Sequence, residues 1–248
     1  MCRHLAYLGP PCPLGEVLAR PEFSLVRQSW APRRQGHGTV NADGFGVGWY
    51  APGDPRPARY RRTGPVWADV SFPDLCRVVR SGALLAAVRD ATDGCAGGEA
   101  AVAPFGAGRW LFSHNGAVTG WPASVAAVAE RVLSTRELLE VEARTDAALV
   151  WALVLHRLRA GEPPAGAVAR VTAELARAAP GSRLNFLVTD GRSVAATAAG
   201  ESLWYLPRPG VSLTVASEPY DTDPEWRSVP DGHVLAGDPG HVGLTALA

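Results

Sequence analysis

The order of secondary-structure patterns along the chain limits the fold more than any other sequence feature. Apolar runs of strand length come first, a helical stretch follows, and runs of strand length return afterwards. Strands and helices that are grouped in this way favour a layered α+β domain over alternating βαβ units. The predicted strands are residues 5–8, 45–50, 84–88, 109–113, 184–188, 194–198, 203–206, 211–215 and 233–235.

The helical stretch between them consists of several pieces. The predicted helices are residues 123–133, 146–159 and 165–179, with a possible capping box from Ser134 to Glu137 opening a short fourth piece. The run 51–65 is rich in Pro, Gly and Arg and is either a surface loop or an edge hairpin. A domain boundary there would leave too small a first piece, so we predict one domain over residues 1–248.

Composition excludes several classes of function. The 248 residues include 24 Lys+Arg and 24 Asp+Glu, so the formal charge is zero and nothing favours nucleic acid as a partner. The chain has no lysine, which excludes P-loop, kinase-type and Schiff-base lysine chemistry. No apolar run reaches the roughly 20 residues that a membrane helix needs. Four cysteines without a Cys-x-x-Cys pair, and no secretory apolar segment, predict a reduced, cytoplasmic protein.

Cys2 is the first candidate for chemistry. Removal of the initiator methionine would make it the N-terminal residue, with a nucleophilic thiol and an α-amino group that serves as its base. Both groups have reference pKa values near neutrality, so one residue could attack a carbonyl and carry the proton to the leaving nitrogen. Taken alone, a cysteine at position two is more often without function.

Two strand ends supply further candidates. Arg89-Asp90-Ala91-Thr92 follows a predicted strand, where the guanidinium could hold a carboxylate or form an ordinary surface salt bridge. His114-Asn115-Gly116 follows the next strand and reads equally as a hairpin turn. The Asn115 amide and the Gly116 backbone N–H could instead form a two-donor oxyanion hole.

Thr145-Asp146 opens the predicted helix 146–159. A carboxylate there could receive a substrate ammonium, although plain N-capping explains the pair equally well. Together the four signals supply a nucleophile with its base, an anion clamp, an oxyanion hole and an ammonium acceptor. A γ-glutamyl amide carries the matching α-carboxylate, α-ammonium and carbonyl, so it is the substrate class that the combination predicts.

These residues resemble the motifs of the class II glutamine amidotransferases, which are N-terminal-nucleophile hydrolases. The matching segments, in order, are Met1-Cys2, residues 41–46, Arg89-x-x-Thr92, His114-Asn115-Gly116 and Thr145-Asp146. The resemblance runs from about Cys2 to Val229 and implies a four-layer αββα sandwich. It implies Cys2 as nucleophile and Asn115 with Gly116 as the oxyanion hole. It places Arg89, Thr92, His114 and Asp146 in substrate binding, with Arg89 and Asp146 as the clamps on the glutamyl carboxylate and ammonium.

Several segments resemble the stand-alone γ-glutamyl amidases of ergothioneine biosynthesis within that family. They are residues 1–9, 41–50, 63–67, 112–118 and 216–219. The resemblance implies hydrolysis of γ-glutamyl-hercynylcysteine sulfoxide by water, with a small-molecule substrate and without metal or cofactor. It names no residue for the leaving-group half of the pocket, and the oligomeric state stays open.

Two other functions stay open at this stage. One is a glutaminase that hands ammonia to a separate synthase subunit, because 248 residues leave no room for a synthase domain. The other is a catalytically silent binding scaffold. Gly44-x-Gly46-x-Gly48 opens no predicted helix and is interpreted as close packing, and Cys12, Cys76 and Cys95 are expected to be inert.

Overall fold

Two antiparallel β-sheets pack face to face in the computed structural model, which describes residues 2–91 and 94–247. The strands are β1 Arg3–Pro13, β2 Gly44–Trp49, β3 Ala58–Arg62, β4 Arg80–Arg89, β5 Phe105–Ala107, β6 Trp110–Ala117, β7 Arg183–Thr189, β8 Val194–Ala198, β9 Trp204–Arg208, β10 Ser212–Ala216, β11 Arg227–Ser228, β12 His233–Asp238 and β13 His241–Ala246. The helices are α1 Leu14–Leu18, α2 Leu25–Gln28, α3 Phe72–Val78, α4 Ala126–Val132, α5 Thr135–Leu139, α6 Asp146–Arg159 and α7 Pro164–Ala178. Short 3₁₀ turns lie at Val66–Ala68, Glu99–Ala101 and Ala123–Val125.

The seven-stranded sheet has the order β11-β9-β10-β1-β4-β2-β3, and the six-stranded sheet has the order β13-β12-β8-β7-β6-β5. Strand β1 lies between β10 and β4, and both partners run antiparallel to it. The start of β1 therefore lies beside the end of β4, with Arg3 opposite Val88. In the other sheet β6 pairs with β7, and Asn115 lies opposite Asn185.

Apolar side chains at alternate positions of the strands fill the space between the sheets. Ala6 and Leu8 of β1 face inward, as do Leu111 of β6 and Leu187 of β7, and all four are buried. Alternate residues of a strand point to opposite faces, so Leu5 and Phe112 contact the outer helical layers instead. Each sheet therefore buries both faces, as a four-layer sandwich requires.

Each outer layer has its own core. Helices α6 and α7 cover the six-stranded sheet, where Leu153, Val154, Val171 and Leu175 are almost fully buried. Helices α1 to α3 cover the seven-stranded sheet through a second cluster that includes Leu14. The four layers confirm the expected αββα architecture. No helix in the described part of the chain has both the length and the apolar character to cross a membrane.

All nine predicted strand segments fall on observed strands, and helix α6 has the predicted bounds. The run 51–65 contains the edge strand β3, so the hairpin alternative is correct. One expectation was wrong. His114-Asn115-Gly116 forms no turn but continues strand β6, because residues 111–117 pair with β7 in an unbroken register. Helices α1 to α3 were not predicted.

Candidate active site

Most of the residues singled out in the sequence line one cavity. The topology explains this convergence, since the start of β1, the end of β4 and the end of β6 lie near one another and α6 begins beside them. The cavity is lined by Cys2, Ala87, Val88, Arg89, Asp90, Cys95, Ala101, Val102, Ala103, Phe105, His114, Gly116, Thr145, Asp146 and Ala147. Thr92, which the resemblance assigned to substrate binding, lies outside the described residues.

Cys2 lies immediately before β1, half-buried in the cavity wall. Its Sγ donates a long hydrogen bond to the backbone carbonyl of Asp90, 3.9 Å away. Burial raises the pKa of the Cys2 thiol above its ordinary value, although the positive charge of Arg89 lowers it in part. The thiol therefore needs a base before it can act as a nucleophile near neutral pH.

Arg89 is the last residue of β4 and places its guanidinium at the cavity wall. Its Nη2 donates to the carbonyl oxygen of Ala96 at 3.1 Å. Within residues 2–91 and 94–247 it forms no ion pair, so the surface salt bridge allowed by the sequence is absent from the described part. An arginine in a cavity wall without a carboxylate partner can bind an anionic ligand group in bidentate fashion.

Asp146 is the first residue of α6 and is almost fully buried. The backbone N–H of Val118 donates to Oδ2 at 3.0 Å, and the N–H of Ala147 donates to Oδ1 at 2.8 Å. Thr145 performs the capping, because its Oγ1 accepts from the N–H of Ala148 at 3.1 Å. Thr145 therefore caps the helix, and the Asp146 carboxylate is not needed for capping. It is held in place at the cavity, where it can face a cation.

His114 and Gly116 lie on one face of β6 and both line the cavity. The Nε2 of His114 is 2.9 Å from the carbonyl oxygen of Arg183, which can only accept, so Nε2 carries the proton. Gly116 has φ +153°, and a Cβ there would lie 1.9 Å from the same carbonyl oxygen. The glycine is therefore required by the neighbouring strand.

Asn115 is fully buried and does not belong to the cavity lining. Its Nδ2 donates to Ser217 Oγ at 3.2 Å, and the same oxygen accepts the backbone N–H of His4 at 3.0 Å. Strand alternation puts Asn115 on the inter-sheet face of β6 and His4 on the inter-sheet face of β1. The structure thus brings the amide close to the start of β1, and its buried Oδ1 has no hydrogen-bond partner among the residues that the structure describes.

A buried polar cluster supports the start of β1. Arg3 is fully buried, and its Nη2 donates to Glu218 Oε2 at 3.1 Å and to the carbonyl of Ser217 at 3.2 Å. Glu218 also accepts the backbone N–H of Arg34 at 2.7 Å. His4 is buried beside Ser113 with Nδ1 3.2 Å from its Oγ, and burial lowers the pKa of His4 to about 3. These contacts hold the residue after Cys2 in place.

Comparison with known proteins decides the family. The model of class II glutamine amidotransferases matches residues 15–212. The chain belongs to this family. A γ-glutamyl-hercynylcysteine sulfoxide hydrolase from Mycolicibacterium smegmatis is 39% identical over 247 residues and covers 100% of both chains. The protein of that name from Mycobacterium tuberculosis is 38% identical, over 100% of this chain and 97% of its own.

Solved structures show the same fold. A glutamine aminotransferase class-II domain protein from Silicibacter pomeroyi has a TM-score of 0.72 at 26% identity, and the match covers both chains completely. The glutamine phosphoribosylpyrophosphate amidotransferase of B. subtilis has a TM-score of 0.64 at 15% identity, with 100% of this chain covering 49% of that one. These matches show that the chain has the class II amidotransferase fold.

Sequence reasoning missed several residues of the amidotransferase cavity, and Cys95 is the one among them with a reactive side chain. Cys95 was expected to be inert, but it lines the cavity and its Sγ lies 3.7 Å from Asp146 Oδ1. Its position in the loop that follows Arg89 was the available signal. The packing role of the glycine motif is confirmed: a Cβ at Gly46 would lie 2.4 Å from the carbonyl oxygen of Ala103, and one at Gly48 would lie 2.7 Å from Leu111.

Proposed function

We propose that this chain hydrolyses the γ-glutamyl amide bond of γ-glutamyl-hercynylcysteine sulfoxide and releases glutamate and hercynylcysteine sulfoxide. The observation that carries the proposal is the meeting of Cys2, Arg89 and Asp146 in one cavity. These residues match the three functional groups of a γ-glutamyl unit. The thiol matches the γ-carbonyl, the guanidinium, which has no carboxylate partner in the described chain, matches the α-carboxylate, and the fixed carboxylate matches the α-ammonium. The full-length relatives that carry this hydrolase name support the choice of leaving group.

Substrate binding follows from charge. The α-carboxylate of the glutamyl group pairs with Arg89, whose guanidinium has no acidic partner among the described residues. The α-ammonium is received by Asp146, whose carboxylate is held in place by the N–H groups of Val118 and Ala147. Two fixed charges of opposite sign leave the γ-carbonyl in one orientation, so the reacting carbon is presented to Cys2.

The chemical step requires a base for Cys2, since burial raises the pKa of its thiol. After removal of Met1, the α-amino group of Cys2 takes the thiol proton, and the thiolate attacks the γ-carbonyl carbon. The Gly116 backbone N–H and the Asn115 amide stabilise the oxyanion; Nδ2 of Asn115 has a second N–H beyond the one that Ser217 accepts. The α-ammonium of Cys2 then protonates the amide nitrogen of the leaving group as the C–N bond breaks. Water finally hydrolyses the γ-glutamyl thioester on Cys2.

The free thiols support a cytoplasmic location. Cys2, Cys12, Cys76 and Cys95 are all free, and the mechanism needs a reduced Cys2. We place the reaction in the cytoplasm, where thiols are kept reduced.

The test compares glutamate release from γ-glutamyl-hercynylcysteine sulfoxide and from glutamine under identical conditions. We expect the sulfoxide to have the larger kcat/KM and Cys2→Ala to lose at least about 10⁴-fold in kcat, as removal of a nucleophile does. Cys12→Ala is the matched control, because Cys12 lies outside the cavity lining. A clear preference for glutamine would establish a glutaminase instead, and full turnover by Cys2→Ala would refute the thioester mechanism.

A further inference from the structure

A second, open groove lies on the other side of the residues that support Cys2. It has a volume of about 470 Å³ and is bordered by two loops, one at residues 34–37 and one at residues 200–204, with Ser228, Val229 and Asp231 at its rim. The family motifs in the sequence include none of these residues. The mechanism proposed above uses none of them either.

Ser202 of the groove contacts the residues that support the catalytic cavity. Its Oγ accepts from Nη2 of Arg3 at 3.4 Å and donates to the carbonyl of Ser217 at 2.7 Å. Arg3 is the residue after Cys2, and Ser217 is the hydrogen-bond partner of Asn115. The groove therefore lies beside the buried residues that support the nucleophile and the predicted oxyanion donor.

Arg34 supplies a positive charge to the groove. Its backbone is fixed, because its N–H donates to the buried carboxylate of Glu218 at 2.7 Å. Its guanidinium carbon lies 4.5 Å from the ring centre of Trp204, over the aromatic face. It forms no ion pair with any carboxylate among residues 2–91 and 94–247, so its charge is available to an incoming anion.

Asp231 supplies a negative charge at the opposite rim. Its Oδ1 accepts the backbone N–H of Gly200 at 2.8 Å, and it has no ion pair with any cation in the described chain. Glu201 differs, since its carboxylate is only 4% exposed and lies 3.3 Å from Arg183 Nε and 3.1 Å from His37 Nδ1. Asp231 is therefore the groove carboxylate that remains for a cationic ligand.

We propose that this groove binds the leaving-group half of the substrate, which carries the cysteinyl carboxylate and, at its far end, a betaine with a trimethylammonium and a second carboxylate. Arg34 pairs with the carboxylate of the cysteinyl unit, which lies next to the scissile amide, and Asp231 faces the trimethylammonium at the far end of the molecule. Trp204 provides the apolar wall between them. This assignment rests on the function proposed above and identifies the residues that select the hercynylcysteine half.

Three γ-glutamyl substrates separate the two contacts. γ-Glutamyl-hercynylcysteine sulfoxide carries the cysteinyl carboxylate and the trimethylammonium. γ-Glutamylcysteine carries only that carboxylate, and γ-glutamylmethylamide carries neither group. Arg34→Met keeps a long side chain over Trp204 and removes the charge, while Asp231→Asn keeps the acceptor for Gly200 and removes the charge. Arg192→Met and Asp74→Asn are the matched controls, since both residues are exposed and lie outside the groove.

Arg34→Met should lower kcat/KM for the sulfoxide and for γ-glutamylcysteine about tenfold relative to γ-glutamylmethylamide, the loss expected for one charge-assisted pair. Asp231→Asn should lower kcat/KM for the sulfoxide about fivefold relative to kcat/KM for γ-glutamylcysteine, and should not change the ratio of γ-glutamylcysteine to γ-glutamylmethylamide. Both losses should appear in KM, and Arg34→Lys should restore part of the first. The controls should leave every ratio at its wild-type value.

Failure of the groove assignment and failure of the proposed function give different results. A wild-type enzyme that prefers the sulfoxide, with Arg34→Met and Asp231→Asn retaining that preference, would overturn the groove alone. A wild-type enzyme that hydrolyses γ-glutamylmethylamide as well as the sulfoxide, or better, would overturn the proposed function.

Discussion

The two halves of the candidate site are built in different ways. The glutamyl half is a cavity whose charged residues stand at the ends of regular elements, with Arg89 closing β4 and Asp146 opening α6. The proposed leaving-group half is an open groove whose charges, Arg34 and Asp231, stand on loops. Element ends fix a side chain through the hydrogen bonds of the sheet or helix, whereas loop residues depend on a few local contacts.

This difference separates the two tasks of the enzyme. The glutamyl group must be held rigidly, because its carbonyl carbon has to meet Cys2 within a fraction of an ångström. The leaving group only has to be selected, so looser contacts on exposed residues are sufficient. Substitutions in the cavity should therefore affect every γ-glutamyl substrate, while substitutions in the groove should affect only extended ones.

Among substitutions that leave the nucleophile Cys2 in place, the largest effect is expected from the oxyanion donor. Asn115→Ala should lower kcat about 10²–10³-fold for glutamine and for the sulfoxide alike, because the charge develops on the γ-carbonyl in both. Initial rates of glutamate release measure this loss. Ser113→Ala is the control, since Ser113 faces the same inter-sheet space but bonds His4. A loss below about tenfold would leave Gly116 as the main donor.

The glutamyl clamp should show the next largest effect. Arg89→Gln should lower kcat/KM about 10- to 100-fold for every γ-glutamyl substrate, since one charge-assisted contact to the α-carboxylate is lost. Steady-state kinetics with glutamine and with the sulfoxide measure both values, and Arg136→Gln at an exposed surface position is the control. A loss confined to the sulfoxide would place Arg89 with the groove and contradict the division between the halves.

The buried polar cluster at the start of β1, which contains His4, should make the stability of the protein depend on pH. Because the folded pKa of His4 lies near 3 and its unfolded pKa near 6.5, the unfolded chain binds the proton more strongly between these values. Stability from this group is complete above pH 6.5 and falls as the pH is lowered, by about 2 kcal/mol at pH 5.

Denaturant unfolding at pH 8 and pH 5 tests this loss. His4→Asn should remove about 2 kcal/mol of the wild-type difference in unfolding free energy between the two pH values. His241→Asn, at an exposed position, should leave the difference unchanged. Equal pH dependence in wild type and His4→Asn would show that His4 accepts a proton in the folded protein without cost.

The glutamyl half was predictable from the sequence to a large extent. Asp146 opens a helix with clear periodicity, and Arg89 ends an apolar strand, so local patterns fixed where each residue stands. The hairpin signal at Asn115-Gly116 misled, because the turn preference of this dipeptide is overridden by pairing with β7. That pairing joins residues about 70 positions apart, and no local pattern reports it.

The leaving-group half could not be predicted for a related reason. Arg34 and Asp231 lie in polar, glycine-containing loops without periodicity, and their proximity arises only when two loops from distant parts of the chain border one groove. The buried ion pair of Arg3 and Glu218 is equally non-local, since it joins residues at the two ends of the chain. Sequence reasoning therefore recovers chemistry at element ends and loses specificity built from loop pairs.

The smallest effect is expected from Cys95, which lies in the glutamyl cavity but comes from a loop. Its thiol is 3.7 Å from Asp146 Oδ1, a weak contact compared with the two backbone N–H groups that hold the same carboxylate. Cys95→Ala should therefore raise KM only about two- to threefold, equally for glutamine and the sulfoxide, with kcat unchanged. Cys12→Ala is again the matched control. A fall in kcat of tenfold or more would contradict this expectation. It would show that a loop residue takes part in the rigid positioning of the glutamyl group, so that the rigid part of the site includes the loop after Arg89.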